Sequence, residues 1–386
     1  SQENCYIVIA LTHLGKGLGL GYNSEAFLDN VCIDAAHKID ACIDGHTHNT
    51  YSEEYSNDYG ITTVLAQTGT QFQNIGKIVI DNASKQIVSH ENIKMTESVP
   101  VDANVQAAAK AIKDRIDDEY KTVVAHSDFE FTADNEIVRR YEGNSGDLVC
   151  DSMSFDALND SGFLMLLEQY NMSKDKVFAL ENGGGIRAGF SGDIKREDVL
   201  NMLPFFNTVN YVLVPGSTLL EVLEANTQLT PDGLMGGFPQ VAGIEFVVDA
   251  TKDYDAGDFY PGSSFPRPNS INRVTIQSIN GQPFDINSDY VMVTNDFVAA
   301  GGDAYYLIGQ LAMKLDTGIA LNNIVEDYLK AGCETQVATS NDVPEVPDRY
   351  REAQGRIHVH EAEHDFTSQE IAPTCTESGC THIDCK

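Results

Sequence analysis

The sequence predicts an α/β chain in two domains joined by one long helix. Three observations carry this. Short continuous apolar runs, such as residues 6–11 (YIVIAL) and 176–180 (KVFAL), suit strands buried on both faces. Stretches with apolar residues at helical spacing alternate with these runs. Residues 102–120 (DANVQAAAKAIKDRIDDEY) form one strong helix pattern at the point where the composition changes.

Taken in order, residues 6–11 form a strand whose end presents Thr12-His13-Leu14-Gly15. Residues 24–36 read as a helix, with Ser24 as candidate cap and Phe27, Leu28, Val31 and Ala35 on one stripe. Residues 39–43 form a second short strand, ending at Asp44-Gly45-His46-Thr47-His48-Asn49. Two histidine-bearing strand ends joined by a helix make a βαβ-like unit with polar groups at one sheet edge. Residues 61–67 and 76–81 complete the sheet of a first domain, residues 1–97. Residues 98–120 are the linker, with Asp102 as helix cap and Val105, Ala108, Ala109, Ile112 and Ile116 on one face.

A second domain covers residues 121–360. Residues 148–158 and 163–170 read as helices that lead into the strand at 176–180. Asn182 and three glycines follow, then Arg187, then a helix from Arg196 that Pro204 stops. Strands are expected at 208–214, 244–248, 274–279 and 290–294, and helices at 217–227 and 320–330. Asn280-Gly281 is a hairpin turn signal, and residues 254–271 read as an irregular insertion. A last strand covers residues 355–359, and residues 361–386 are a polar, cysteine-containing tail.

The 386 residues include 25 basic and 58 acidic side chains, a net charge of −33. That excludes a nucleic-acid polymer as ligand, because duplex binding needs a basic face. A small anionic ligand then needs a local cationic pocket or metal ions. Eight cysteines and the sequons at Asn82, Asn159 and Asn171 point to disulfides, glycosylation and an oxidising, extracellular compartment. No apolar run reaches the length of a membrane span. The chain starts without a signal peptide, directly in an apolar strand, as if inside a domain.

The chemistry-bearing residues fall in three places. Gly183, Gly184 and Gly185 allow close approach to a ligand, and Arg187 offers a planar fork of donors for an anion. Phe205, just past Pro204, and Phe297, just past the 290–294 strand, are candidates to hold a flat ring between them. Asp303 can accept from hydroxyls. His13, His46 and His48 suit metal binding.

NGGGIR with the following GDI and LPF, TNDFVAAGGDAY at residues 294–305, and ALTHLG with DGHTHN occur in an order that resembles the 5′-nucleotidase family. The resemblance implies the end of a calcineurin-like metallophosphoesterase domain, a β-sandwich with helices, then a linker helix and an α/β (α+β) substrate-binding domain. It implies hydrolysis of nucleotide phosphoesters with two divalent metal ions, zinc or manganese. His13 and His46 would bind one metal and His48 the other. Asn182, Gly184, Arg187, Phe205, Phe297 and Asp303 would hold the nucleoside, with Arg139 or Arg140 helping. Asp147 departs from the family pattern, where Asn or Arg is frequent. The family's remaining metal ligands and its general-acid histidine precede this stretch. The expectation is therefore that no catalytic group lies here, that a preceding segment or another chain supplies them, and that this chain alone turns over slowly. The alternative expectation is a non-catalytic nucleotide-binding or structural protein, for which a homo-oligomer is left open. A secreted or periplasmic location goes with the resemblance.

Overall fold

The computed structural model describes residues 5–17, 23–334, 343–361, 366–371 and 380–385. It is mixed α/β and divides into two compact units, Ser1–Asp114 and Arg115–Lys386.

In the first unit the apolar runs become parallel strands. Ile9–Leu11 pairs with Ala41–Ile43, which pairs with Thr62–Thr68, and Thr50–Ser56 closes the edge antiparallel. Leu28, Cys32, Ile39, Cys42 and Leu65 form a small core. Asn74–Asp81 and Gln86–Lys94 make a hairpin. The helix expected over 24–36 covers only Ser24–Val31, followed by a 3-10 turn at Ala35–His37. Asn23, not Ser24, caps it, accepting from the Ala26 amide at 2.8 Å. Asp34 then accepts from the Ala36 and His37 amides at 2.8 and 3.0 Å. That local turn competes with the next helical hydrogen bonds. Ala103–Tyr120 is a helix, and Asp102 accepts from the Asn104 and Val105 amides.

The second unit is built on a five-stranded sheet with strands in the order Pro239–Ala242, Val177–Asn182, Asp289–Asn295, Thr208–Pro215, Lys314–Ala320. Every residue of Val177–Asn182 is buried. Side chains alternate across a strand, so Val177 and Ala179 join one core while Phe178 and Leu180 join the other. The helix Asn144–Asn159 supplies Leu148, Val149 and Met153 to the first core, and Gly216–Asn226 supplies Leu219, Val222 and Leu223 to the second. A second sheet runs Gln282–Pro283, Val274–Ile279, Ile244–Asp249, Ile357–His360. The insertion at 254–271 holds a short ladder, Ala256–Phe259 against Pro266–Pro268. In the tail, Phe366–Ile371 and Cys380–Cys385 pair as a hairpin; Cys375 lies outside the described residues.

Cys5, Cys32, Cys42 and Cys150 are free thiols, which corrects the disulfides expected from the cysteine count for these four. Cys32 and Cys42 are core residues, and the Cys150 thiol donates to the Gln240 carbonyl at 3.1 Å. They behave as small buried hydrophobes. No described helix is long and apolar enough to cross a membrane.

Candidate functional site

Strand direction gathers the site. Val177–Asn182 and Asp289–Asn295 are parallel, so their C-terminal ends share one sheet edge. Thr208–Pro215 is antiparallel to the latter, with Val209 opposite Asn295, so it begins at that edge. Residues 182–187, 296–303 and 205–207 therefore emerge together. Asn207 ties two of these segments by donating to Asp296 at 2.5 Å.

The glycine turn is crowded by the protein's own backbone. A Cβ on Gly183 would lie 1.8 Å from the Val138 carbonyl oxygen, and one on Gly184 2.9 Å from that of Gly236. The Gly183 and Gly184 amides donate to Phe238 and Gly236 at 2.8 and 2.7 Å. The glycines thus serve close loop packing, and the turn needs no positive φ at any of the three. Asn182 is buried and spends its side chain inward, accepting from Asn295 at 2.9 Å and donating to Gly236 at 3.4 Å.

Four groups face outward around this turn. Arg187 is exposed, donates to the Gly184 carbonyl at 3.3 Å, and lies 5.4 Å above the Phe205 ring. Phe205 and Phe297 are 56% and 43% exposed. Asp303 is half-buried at φ 49°, and burial pushes its carboxyl up to about 6 although Arg139 pulls it down. Arg139 faces Asp303 and Arg187, its buried Nε has no partner, and burial lowers its basicity. Its neighbour Arg140 turns elsewhere, to Glu136 and to the Pro231 carbonyl at 2.7 Å. Arg139 and Arg140 are thus separated by environment: one carries an unused donor, the other is committed. A cleft of about 990 Å³ has Arg187, Phe190, Asn144 and Arg351 in its wall, but neither Phe205, Phe297, Arg139 nor Asp303.

Asp147 is fully buried, pairs with Arg356 at 3.5 Å, and accepts from the Gln354 amide at 3.2 Å. Burial pushes its carboxyl up to about 8, against the pull of Arg356. It fixes the Gln354–Ile357 stretch to the Asn144–Asn159 helix instead of reaching a ligand.

In the first unit, Asp44 organises the histidine loops. It accepts from Thr12 Oγ1 and the Leu14 amide, both at 2.9 Å, from Tyr51 at 3.2 Å, and from Ser24. Burial would raise its carboxyl, but these donors, with the Gly45 amide, hold it below the usual range. The loops bring the His13 and His46 rings to 5.3 Å, edge to face. Both are exposed, and two adjacent imidazoles are a donor set suited to zinc or manganese. His48 is exposed at φ 57°. The three do not bring ligand atoms within 4.8 Å of one another. Among the described residues, the set that does is His126, Asp128 and Glu345. There His126 Nδ1 already pairs with Asp193 at 2.8 Å, and that bond, against slight desolvation, raises the imidazole's pKa. An imidazolium held among carboxylates competes with a metal for the same oxygens.

Residues 123–310 match the family model for the 5′-nucleotidase C-terminal domain. Over those residues the chain is similar to the 5′-nucleotidase C-terminal domain. It is 29% identical over 338 residues to the trifunctional nucleotide phosphoesterase YfkN of Bacillus subtilis, covering 85% of this chain and 20% of that protein. It is 24% identical to the 5′-nucleotidase of Bos taurus, covering 82% and 56%, and 24% identical to a snake venom 5′-nucleotidase of Naja atra, covering 83% and 62%. The chain thus spans a fifth to three fifths of these relatives. Two solved structures share the fold. A 5′-nucleotidase precursor from Thermus thermophilus has TM-score 0.57 and 24% identity, covering 84% of this chain and 60% of that one. A putative 5′-nucleotidase from Staphylococcus aureus, solved with α-ketoglutarate, has TM-score 0.59 and 17% identity, covering 92% and 64%. The 5′-nucleotidase C-terminal domain accounts for both glycine-bordered blocks, NGGGIR and TNDFVAAGGDAY. Asn295 lies inside the second block, and Asn207, which donates to Asp296, carries no sequence signal beyond its place just past LPF.

Proposed function

We propose that this chain works in metal-dependent hydrolysis of nucleotide phosphoesters, its second unit holding the nucleoside part of the substrate. The observation that carries this reading is the convergence of two exposed phenylalanines, Arg187, Arg139 and Asp303 at one sheet edge. Phe205 and Phe297 stack on the base. Asp303 accepts from ribose hydroxyls, and the unused Arg139 Nε donates to the substrate. Arg187 remains over the Phe205 ring and steers the anionic end. Gly184 and Asn182 set the height of the turn rather than touching the ligand. His13, His46 and His48 contribute imidazole nitrogens to divalent metals, zinc or manganese. When bound, such metals supply a water activated for attack on phosphorus. The net charge of −33 makes these cationic groups necessary, since an acidic surface repels a nucleotide. Secretion agrees with the exposed sequon residues Asn82, Asn159 and Asn171.

A second reading, binding without cleavage, is favoured because every proposed nucleoside contact lies within Arg115–Lys386. Two measurements separate them. Calorimetric titration with adenosine tests the pocket. Phe297→Ala is expected to weaken it by about 1–3 kcal/mol, roughly 5- to 150-fold, the usual worth of a base on an aromatic platform. Phosphate release from AMP by the full-length protein with added zinc or manganese tests hydrolysis. Adenosine binding without phosphate release favours the second reading, and no adenosine binding refutes both.

A further inference from the structure

Within this nucleoside reading, on which the inference rests, we propose that Glu181 is a positioning residue: buried beneath the glycine turn, it braces Asn295 and so fixes the Arg187 segment relative to the Phe297 segment. Glu181 is 1% exposed and sits on the strand directly before Asn182. A Cβ on Gly185 would lie 2.3 Å from its Oε1, so the carboxyl fills the space under the turn. Asn295 Nδ2 donates to Glu181 Oε1 and to Asn182 Oδ1, both at 2.9 Å. Asn295 Oδ1 accepts from the Val298 amide at 2.7 Å, capping the short helix that carries Phe297. One amide therefore joins both signature blocks, and Glu181 holds that amide from below.

The brace needs Glu181 neutral. Its Oε2 has no partner, and a buried carboxylate with a single donor is costly. Burial pushes its carboxyl up to about 8; the Asn295 bond opposes this and Asp296 adds to it. The other titratable groups around it are Cys150, on the Asn144–Asn159 helix, and Tyr305, past the Phe297 helix. Neither supplies a positive charge. Gln240, opposite on the neighbouring strand, is committed to Gly143, Val138 and Tyr141. Loss of the proton would leave a charge that must find water, and the shortest way is to open the turn.

Glu181→Gln keeps the shape and the acceptor for Asn295 and cannot ionise. Two readouts on the full chain, from pH 5 to 9, decide the matter. The native state keeps the Glu181 proton up to about 8 and the unfolded chain only up to 4.5. Stability from this group is therefore complete below 4.5 and lost as pH rises through 8. The wild-type unfolding constant, divided by that of Glu181→Gln, should rise about tenfold per pH unit over the window between these values and then level off. Between pH 7.5 and 9 the adenosine affinity of the wild type should fall about tenfold while that of Glu181→Gln stays flat. Parallel unfolding profiles overturn the proposal. A sloping unfolding ratio with no change in adenosine affinity also overturns it, because Glu181 would then be a buried acid with no hold on the site. No adenosine binding by either protein at any pH instead refutes the nucleoside reading itself.

Discussion

Acidification should weaken nucleoside binding through Asp303, and the size of the effect follows from its surroundings. Burial raises the Asp303 carboxyl to about 6 from an ordinary 3.8, with Arg139 the opposing charge. At pH 7.5 it is a carboxylate, and hydroxyl donors to it form charge-assisted hydrogen bonds. At pH 5 it is a neutral acid. Hydrogen bonds to charged groups contribute about 1.5–3 kcal/mol and neutral ones about 0.5–1.5, so protonation should cost about 1–1.5 kcal/mol. That is roughly a 5- to 13-fold rise in Kd between pH 7.5 and pH 5. Calorimetry with adenosine reads this cleanly, because the ligand has no phosphate to titrate. Asp303→Asn should bind weakly and show no such acid limb. Stability moves the other way. The contribution of Asp303 is complete below 3.8 and is lost as pH rises through 6, about 3 kcal/mol in all. Weaker binding at pH 5 therefore cannot be traced to this group loosening the fold. Affinity that is unchanged or tighter at pH 5, or an Asp303→Asn protein that follows the wild-type curve, would refute the reasoning.

Three further outcomes are expected. Gly183→Ala places a methyl 1.8 Å from the Val138 carbonyl; since backbone cannot yield cheaply, urea unfolding should show a loss at the upper end of about 1–3 kcal/mol or beyond. Arg356→Met removes the partner of buried Asp147 and of Asp151, with which Arg356 pairs at 2.8 Å, and should destabilise by about 3–5 kcal/mol in the same assay. His13→Ala or His46→Ala should each lower zinc uptake by the chain in equilibrium dialysis, since two adjacent imidazoles act together; His37→Ala, whose Nδ1 pairs with Asp34, should not.

Much of the sheet was legible because buried parallel strands must be apolar throughout. Val177–Asn182 and Asp289–Asn295 announce themselves in this way, and both end in polar residues that leave the core. Edge strands give no such signal: Thr50–Ser56 (TYSEEYS) keeps polar side chains toward solvent and has no continuous apolar run. The Ser24 cap shows another limit. Asn23 and Ser24 are both good caps, and only the fold decides which one stands outside the helix. Similarly, Arg139 and Arg140 are indistinguishable in sequence, yet adjacent side chains point apart and meet different partners. The three glycines signalled a tight place, but the crowding atoms proved to be the Val138 and Gly236 carbonyls. Glu181 gave no warning. A glutamate beside a polar turn reads as exposed, and its burial follows from strands stacked on either side.

The most direct test of the nucleoside site is a crystal structure of the full chain with adenosine. The base is predicted to lie between the Phe205 and Phe297 rings, with ribose hydroxyls on Asp303 and a contact to Arg139 Nε. Adenosine bound instead in the cleft beside Arg351, with both phenylalanines bare, would contradict the account.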